Sequence, residues 1–169
     1  MRILGVDPGL RQTGYGLLEV SARGPGLLEA GVIRTSGRAP LPSRLCELYR
    51  GLVEIISEGR PELIAMEDLF AHSAFPRAAI MMGQVSGVIQ LAAAQAGIPI
   101  DAIPPASVKH AMVASGQAGK RQVQRMVRRL LALVEEPGTH VADALALALT
   151  AVSRRGLPLG HRRNLRGSA

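Results

Sequence analysis

Over the first 35 positions the apolar residues come in short runs broken by glycine, and three stretches, residues 2–6, 14–20 and 27–35, read as strands. Arg23-Gly24-Pro25-Gly26 is a turn signal between the second and third, so the chain is expected to open with an antiparallel meander. The period then changes. Leu45, Leu48, Leu52, Ile55 and Ile56 recur at helical spacing within residues 42–58, with Ser43 near the start and Gly59 and Pro61 at the close. A strand over 62–66, a long helix over 76–96 stopped by Gly97 and Pro99, and a strand over 98–103 follow. Beyond Pro104-Pro105, residues 107–114 and 120–134 read as helices separated by a flexible 115–119, and a last helix covers 138–153. Three strands followed by helix, strand, helix and strand predict an α/β domain, a mixed five-stranded sheet flanked by helices, over residues 1–153. Residues 154–169 hold Gly, Pro and Arg and are expected to form a basic, disordered tail. No internal repeat is visible.

Polar residues at the ends of apolar runs carry the candidate chemistry. Asp7 closes the first run and Glu67 closes Leu63-Ile64-Ala65-Met66. If these two strands are parallel neighbours, both carboxylates emerge at the same carboxyl-terminal sheet edge, the usual place for a site in such sheets. His140 and Asp143 sit three residues apart, about 60° around a helix axis, so both can reach one site. The rest of that helix (Val141, Ala144, Leu145, Leu147, Ala148, Leu149, Val152) is apolar nearly all round, as for a helix packed on a sheet. Hard oxygen ligands delivered from three separate elements suit Mg2+ or Mn2+. Each residue also has a plainer reading: Asp7-Pro8-Gly9 is good turn chemistry, Glu67 is a strand end, Asp143 complements a helix dipole and His140 is an exposed imidazole. Asp68 is expected to face away from Glu67, because adjacent strand residues point to opposite faces. Convergence of the other four outweighs the plainer readings.

Composition narrows the setting. The 169 residues are 47% hydrophobic, enough for one domain with its own core. Cys46 is the single cysteine, which excludes an internal disulfide; it reads as a small buried side chain in a reducing cytoplasm. No leader-like segment opens the chain, and its least polar stretch, residues 78–98, is interrupted by Gln84, Ser86, Gln90 and Gln95, so neither export nor membrane insertion is expected. Five of the seven net positive charges fall on Arg154, Arg155, Arg162, Arg163 and Arg166, which makes the overall charge a weak argument. Residues 102–134 are more telling. They carry Lys109, Lys120, Arg121, Arg125, Arg128 and Arg129 without one acid, as a surface for a phosphate backbone would. A solvated helix face is the alternative for Arg121, Arg125 and Arg128, which share a stripe opposite Val123, Val127 and Leu130.

Several segments in one order resemble a known family. They are Ile-Leu-Gly-Val-Asp-Pro-Gly at 3–9 with Thr-Gly-Tyr-Gly at 13–16, Met-Glu-Asp-Leu-Phe at 66–70, Gly83-Gln84 through Gly87, and Pro105-Ala106-Ser107-Val108-Lys109. Gly119-Lys120 with Gln122-Val123-Gln124, and Ala142-Asp143-Ala144-Leu145-Ala146, complete the set. Together they resemble the RuvC family of Holliday junction resolvases through about residue 152. The resemblance implies an RNase H-like fold, a homodimer, and paired symmetric nicks in strands of like polarity across a four-way DNA junction, in recombination and repair. It implies metal-binding roles for Asp7, Glu67 and Asp143, two Mg2+ or Mn2+ ions per site, products with 5′ phosphate and 3′ hydroxyl ends, and a branch-migration motor of the RuvA and RuvB type as partner. It matches Phe70 to a loop aromatic that inserts against junction bases, with Phe75 the lesser candidate, and Lys109, Lys120, Arg121 and Arg125 are read as DNA contacts. One departure stands out: many members have a carboxylate where this chain has His140, which still ligates divalent metals. Two other classes share parts of the pattern. Actin-like kinases and ATPases have the strand, Asp-x-Gly turn and strand but also a second lobe that one domain of this length lacks. A binding-only junction protein would keep the basic surface without cleavage.

Overall fold

The computed structural model describes residues 1–68, 76–113 and 119–159. Its elements are β1 (Arg2–Asp7), β2 (Gln12–Ser21), β3 (Gly24–Arg34), α1 (Leu41–Gly59), β4 (Leu63–Glu67), α2 (Pro76–Gln95), β5 (Ile100–Ile103), α3 (Pro105–Val113), α4 (Lys120–Leu130) and α5 (Thr139–Arg154). The sheet order is β3-β2-β1-β4-β5. β1, β2 and β3 form the antiparallel meander, whereas β4 and β5 join in parallel, with Val6 opposite Met66 and Glu67 opposite Ile103. The expected mixed five-stranded α/β sheet is the one found.

Helices cover both faces. On one side Leu4, Val6, Ile64 and Met66 pack with Leu48, Leu52, Ile55 and Ile56 of α1 and Val85, Ile89, Ala92 and Ala93 of α2. On the other, Ile3, Leu18, Leu63, Ala65 and Ile103 meet Met112 of α3, Val123 and Val127 of α4 and the apolar length of α5. The two-residue period of the strands makes this division, since alternate residues of β1 and β4 belong to opposite cores.

Several details depart from the expectation, beginning with the β2–β3 turn, where Gly24, Pro25 and Gly26 are already paired within β3. Cys46 is exposed rather than buried. The buried stripe of α1 runs through Leu48, Leu52, Ile55, Ile56 and Gly59, and a residue two before Leu48 lies on the far side of the helix. That helix ends on Arg60, whose left-handed φ of 47° lets its N–H reach Ile56 O, while Gly59 stays inside the helix against Leu17. α4 stops at Leu130, short of 134. Ala132 turns left-handed (φ 50°) and the Leu133 N–H donates to Arg128 O at 2.9 Å, a Schellman-type stop made without glycine. Finally, the segment after α5 is held down as far as residue 159, against the expected disorder. Arg154 and Arg155 bridge Asp101 at 3.0 and 2.8 Å, and Leu157 and Leu159 pack on the core. Residues 160–169 lie outside the described part.

Candidate active site

Strand alternation decides where the carboxylates point. In β1, Leu4 and Val6 face α1 and α2, so Ile3, Gly5 and Asp7 face α5; in β4, Leu63, Ala65 and Glu67 do the same. With Val6 beside Met66 in parallel register, Asp7 and Glu67 stand side by side at the carboxyl ends of two adjacent central strands.

Glycines set the position of the third partner. An ideal Cβ on Gly5 would stand 1.9 Å from Ala144 O, one on Gly14 would stand 2.0 Å from His140 O, and one on Gly16 would stand 2.4 Å from Leu145 Cδ2. The sheet is bare where α5 crosses it, and the helix backbone rests directly on β1 and β2. This contact lowers the N-terminal turn of α5 towards Asp7: His140 Nδ1 lies 2.9 Å from Asp7 Oδ2, and Asp143 is one turn further along. The positioning role of Gly5, Gly14 and Gly16 escaped the reading of the sequence. Glycine inside a strand signals close backbone approach, but only the seated helix shows what approaches.

Asp7, Glu67, His140 and Asp143 line one cavity of about 340 Å3, together with Lys109 of α3 and Lys120 of α4. Its walls are part apolar, from Val108, Val123 and Leu147. Burial pushes the Asp7 carboxyl above its ordinary value and repulsion from Asp143 adds to this, against the lowering effect of His140 and Lys120. Glu67 is raised by burial, then by Asp7 and Asp143. Asp143 is raised by burial against the pull of Lys120 and His140. Three carboxylates thus share a partly desolvated pocket with incomplete compensation, an environment that favours added positive charge.

The other sequence candidates divide. Lys109 and Lys120 are at the pocket. Arg121 and Arg125 lie on the exposed side of α4, opposite buried Val123 and Val127, and do not line it; Arg125 borders a separate groove with Arg128 and Arg129. Phe70 and Phe75 lie outside the described residues.

Comparison with known proteins places nearly the whole chain in one family. The family model described as crossover junction endodeoxyribonuclease RuvC matches residues 3–151. A crossover junction endodeoxyribonuclease RuvC from Pelotomaculum thermopropionicum is 48% identical over 150 residues, 88% of this chain and 91% of the relative. Among solved structures, Thermus thermophilus RuvC superposes with a TM-score of 0.83 at 35% identity, covering 93% of this chain and 98% of that one. The T. thermophilus RuvC in complex with Holliday junction substrate gives 0.85 at 36% identity, covering 92% and 96%.

Proposed function

The chain belongs to the RuvC family of crossover junction endodeoxyribonucleases, and from that premise we propose that the pocket at Asp7, Glu67, His140 and Asp143 is the centre that cuts four-way DNA junctions. Holliday junction resolution by a nuclease is the activity that membership supports, and the RNase H-like α/β fold goes with it. The carrying observation is one cavity at the carboxyl edge of the sheet that gathers three carboxylates, an imidazole and two lysines from five elements.

The donor chemistry fits a divalent cation: oxygen ligands dominate, and burial, with carboxylate repulsion added at Asp7 and Glu67, holds all three carboxyls above their ordinary values, a setting that a bound cation would relieve. As the side chains stand, no three His, Cys, Asp or Glu groups among the described residues are arranged to hold an ion, so the fit is one of donor set and shared pocket. Two Mg2+ or Mn2+ ions bound by Asp7, Glu67, His140 and Asp143 would supply an activated water and charge stabilisation at the leaving oxygen. The chain's own groups do the rest. Lys109 and Lys120 meet the anionic backbone at the pocket mouth, and Lys120 offsets the carboxylates before DNA arrives. With Nδ1 donating to Asp7 Oδ2, His140 keeps the Nε2 lone pair free for ligation.

Paired cuts need two centres, which a homodimer supplies. The outer side of α2 is suited to the contact: Ile80, Met81 and Leu91 are 64, 41 and 51% exposed, and Gly83 and Gly87 have open space where a partner backbone can approach. The window Ala78–Gln95 is long and apolar enough for a membrane span by length and composition, yet its inner side packs on the sheet through Val85 and Ile89. Action on chromosomal junctions in the cytoplasm, beside a branch-migration motor of the RuvA and RuvB type, completes the reading.

The test is a mobile synthetic four-way junction with each strand labelled in turn. Nicks in two strands of like polarity, present with Mg2+ or Mn2+, absent with chelator and absent from linear duplex, are expected. Junctions left intact with either metal, or duplex cut equally well, would overturn the proposal.

A further inference from the structure

A second groove opens beside the catalytic pocket, and the two share a wall. Gly9, Arg11 and Gln12 from the β1–β2 turn and Arg34 and Thr35 from the end of β3 enclose about 620 Å3, and His140 borders both this space and the acidic cavity. We propose that this groove is a second backbone-phosphate site, in which Arg11 and Arg34 hold the DNA strand as it leaves the catalytic pocket on the side away from Lys109 and Lys120. The proposal rests on the nuclease reading and adds where the cut strand runs.

Several features make the groove more than two surface charges. Arg34 pairs with Gln12 in the β2–β3 register, so both face the same side of the sheet as Gly14 and α5. The Thr35 N–H donates to Arg11 O at 3.2 Å, tying the two arginine-bearing segments together. Underneath, Arg44 of α1 donates to Thr35 Oγ1 at 3.0 Å and Leu10 O at 3.1 Å, so the floor is fixed before any ligand binds. Arg11 itself lies over Gly37, where a Cβ would stand 3.2 Å from its Nη2. Arg11 and Arg34 are exposed, and among the described residues neither makes an ion pair. Two guanidiniums on a preset floor, beside a pocket that takes a scissile phosphate, match a chain of phosphates. A strand crossing the catalytic carboxylates must be held on both sides of them, and the lysines supply only one side.

The experiment measures binding of the metal-free protein to a synthetic four-way junction at several salt concentrations, with neutral methylphosphonates placed singly along the cleaved strand. Arg11→Ala and Arg34→Ala should each lower the salt slope of log K by about 0.9, and the double variant by roughly twice that. Methylphosphonates one or two positions from the scissile phosphate, on one side only, should weaken wild-type binding and have no further effect on the double variant. Arg11→Lys/Arg34→Lys should keep the slope. An unchanged slope in the double variant, or methylphosphonate losses equal in both proteins, would overturn the groove, with Lys109→Ala as the control that a phosphate contact is detectable. Metal-dependent cutting by the wild type reports separately on the nuclease reading, so a chain with an arginine-dependent slope that never cuts would sink that reading alone.

Discussion

The two faces of the sheet are packed by different means. Towards α1 and α2 the spacers are large side chains, Leu4, Val6, Leu48, Leu52, Ile64 and Ile89, each worth about 1.5–3 kcal/mol when buried. Towards α5 the core also holds large side chains, Ile3, Leu18, Leu145 and Leu149, but beside the candidate site the spacers are missing: Gly5 and Gly14 let helix backbone rest on strand backbone, and Gly16 makes room for the Leu145 side chain. Side-chain packing tolerates small shifts, because rotamers can adjust. Backbone contact does not, and it fixes His140 and Asp143 relative to Asp7. The proposed active residues therefore stand on the face with the least freedom, and the other face carries the exposed apolar residues of α2, Ile80, Met81 and Leu91.

The largest effects should come from the acidic pocket. Asp7→Asn, Glu67→Gln and Asp143→Asn should each reduce junction cleavage by on the order of a thousandfold, about 4 kcal/mol of transition-state stabilisation. Gel-shift affinity should persist, because Lys109 and Lys120 remain. Cleavage near the wild-type rate in any one variant would remove that residue from the ligand set.

Next in size is a direct contrast between the faces. Gly14→Ala must displace the α5 backbone at His140 and should cost roughly a hundredfold in single-turnover cleavage. Gly87→Leu has open space around it, so the protomer should keep its melting behaviour while ultracentrifugation shows a shift from dimer towards monomer. Equal activity for Gly14→Ala, or an unchanged dimer for Gly87→Leu, would erase the distinction between the faces.

The strand face carrying Asp7 and Glu67 was legible in the sequence, because alternation and a shared parallel edge are local properties of two short runs. Features set by distant partners were not. Arg154 and Arg155 look like a free basic tail until Asp101 of β5 is beside them. Val134 continues the apolar period of α4 in sequence, yet the chain has already turned at Ala132 and leaves Val134 89% exposed. Cys46 misled because cysteine is usually buried, whereas its angular place on α1 puts it outside. Arg11 and Arg34 belong to separate strand ends that only the register brings together.

A smaller effect concerns stability and pH. Asp7, Glu67 and Asp143 all hold protons more tightly in the folded chain than their ordinary values, so the folded state binds more protons there than the unfolded one. Stability then falls as pH rises from the ordinary carboxylate range through the raised values. Asp7→Asn removes one of these charges and keeps a hydrogen-bond partner for His140 Nδ1. The metal-free variant should melt above the wild type at pH 7, and the gap should close as pH drops into the ordinary carboxylate range. A gap independent of pH would mean that charge crowding is not its cause.

The smallest expected effect separates His140 from the carboxylates around it. Imidazole is a softer ligand than carboxylate and suits later divalent metals, while Mg2+ favours oxygen and sheds water reluctantly. Its Nδ1 is already engaged with Asp7 Oδ2, which fixes the ring and leaves Nε2 as the nitrogen that would serve a metal. Mn2+ should therefore support faster cleavage than Mg2+ at equal concentration. His140→Asp restores an all-oxygen set and should narrow that preference by a few fold, worth under about 1 kcal/mol. It also adds a fourth negative charge to an already crowded pocket, so the metal-free variant should melt below the wild type at neutral pH, a readout independent of catalysis. Metal titrations of both proteins, with melting curves in chelator, decide the matter. Equal Mg2+ and Mn2+ rates in the wild type, unmoved by His140→Asp, would show that the imidazole only braces Asp7.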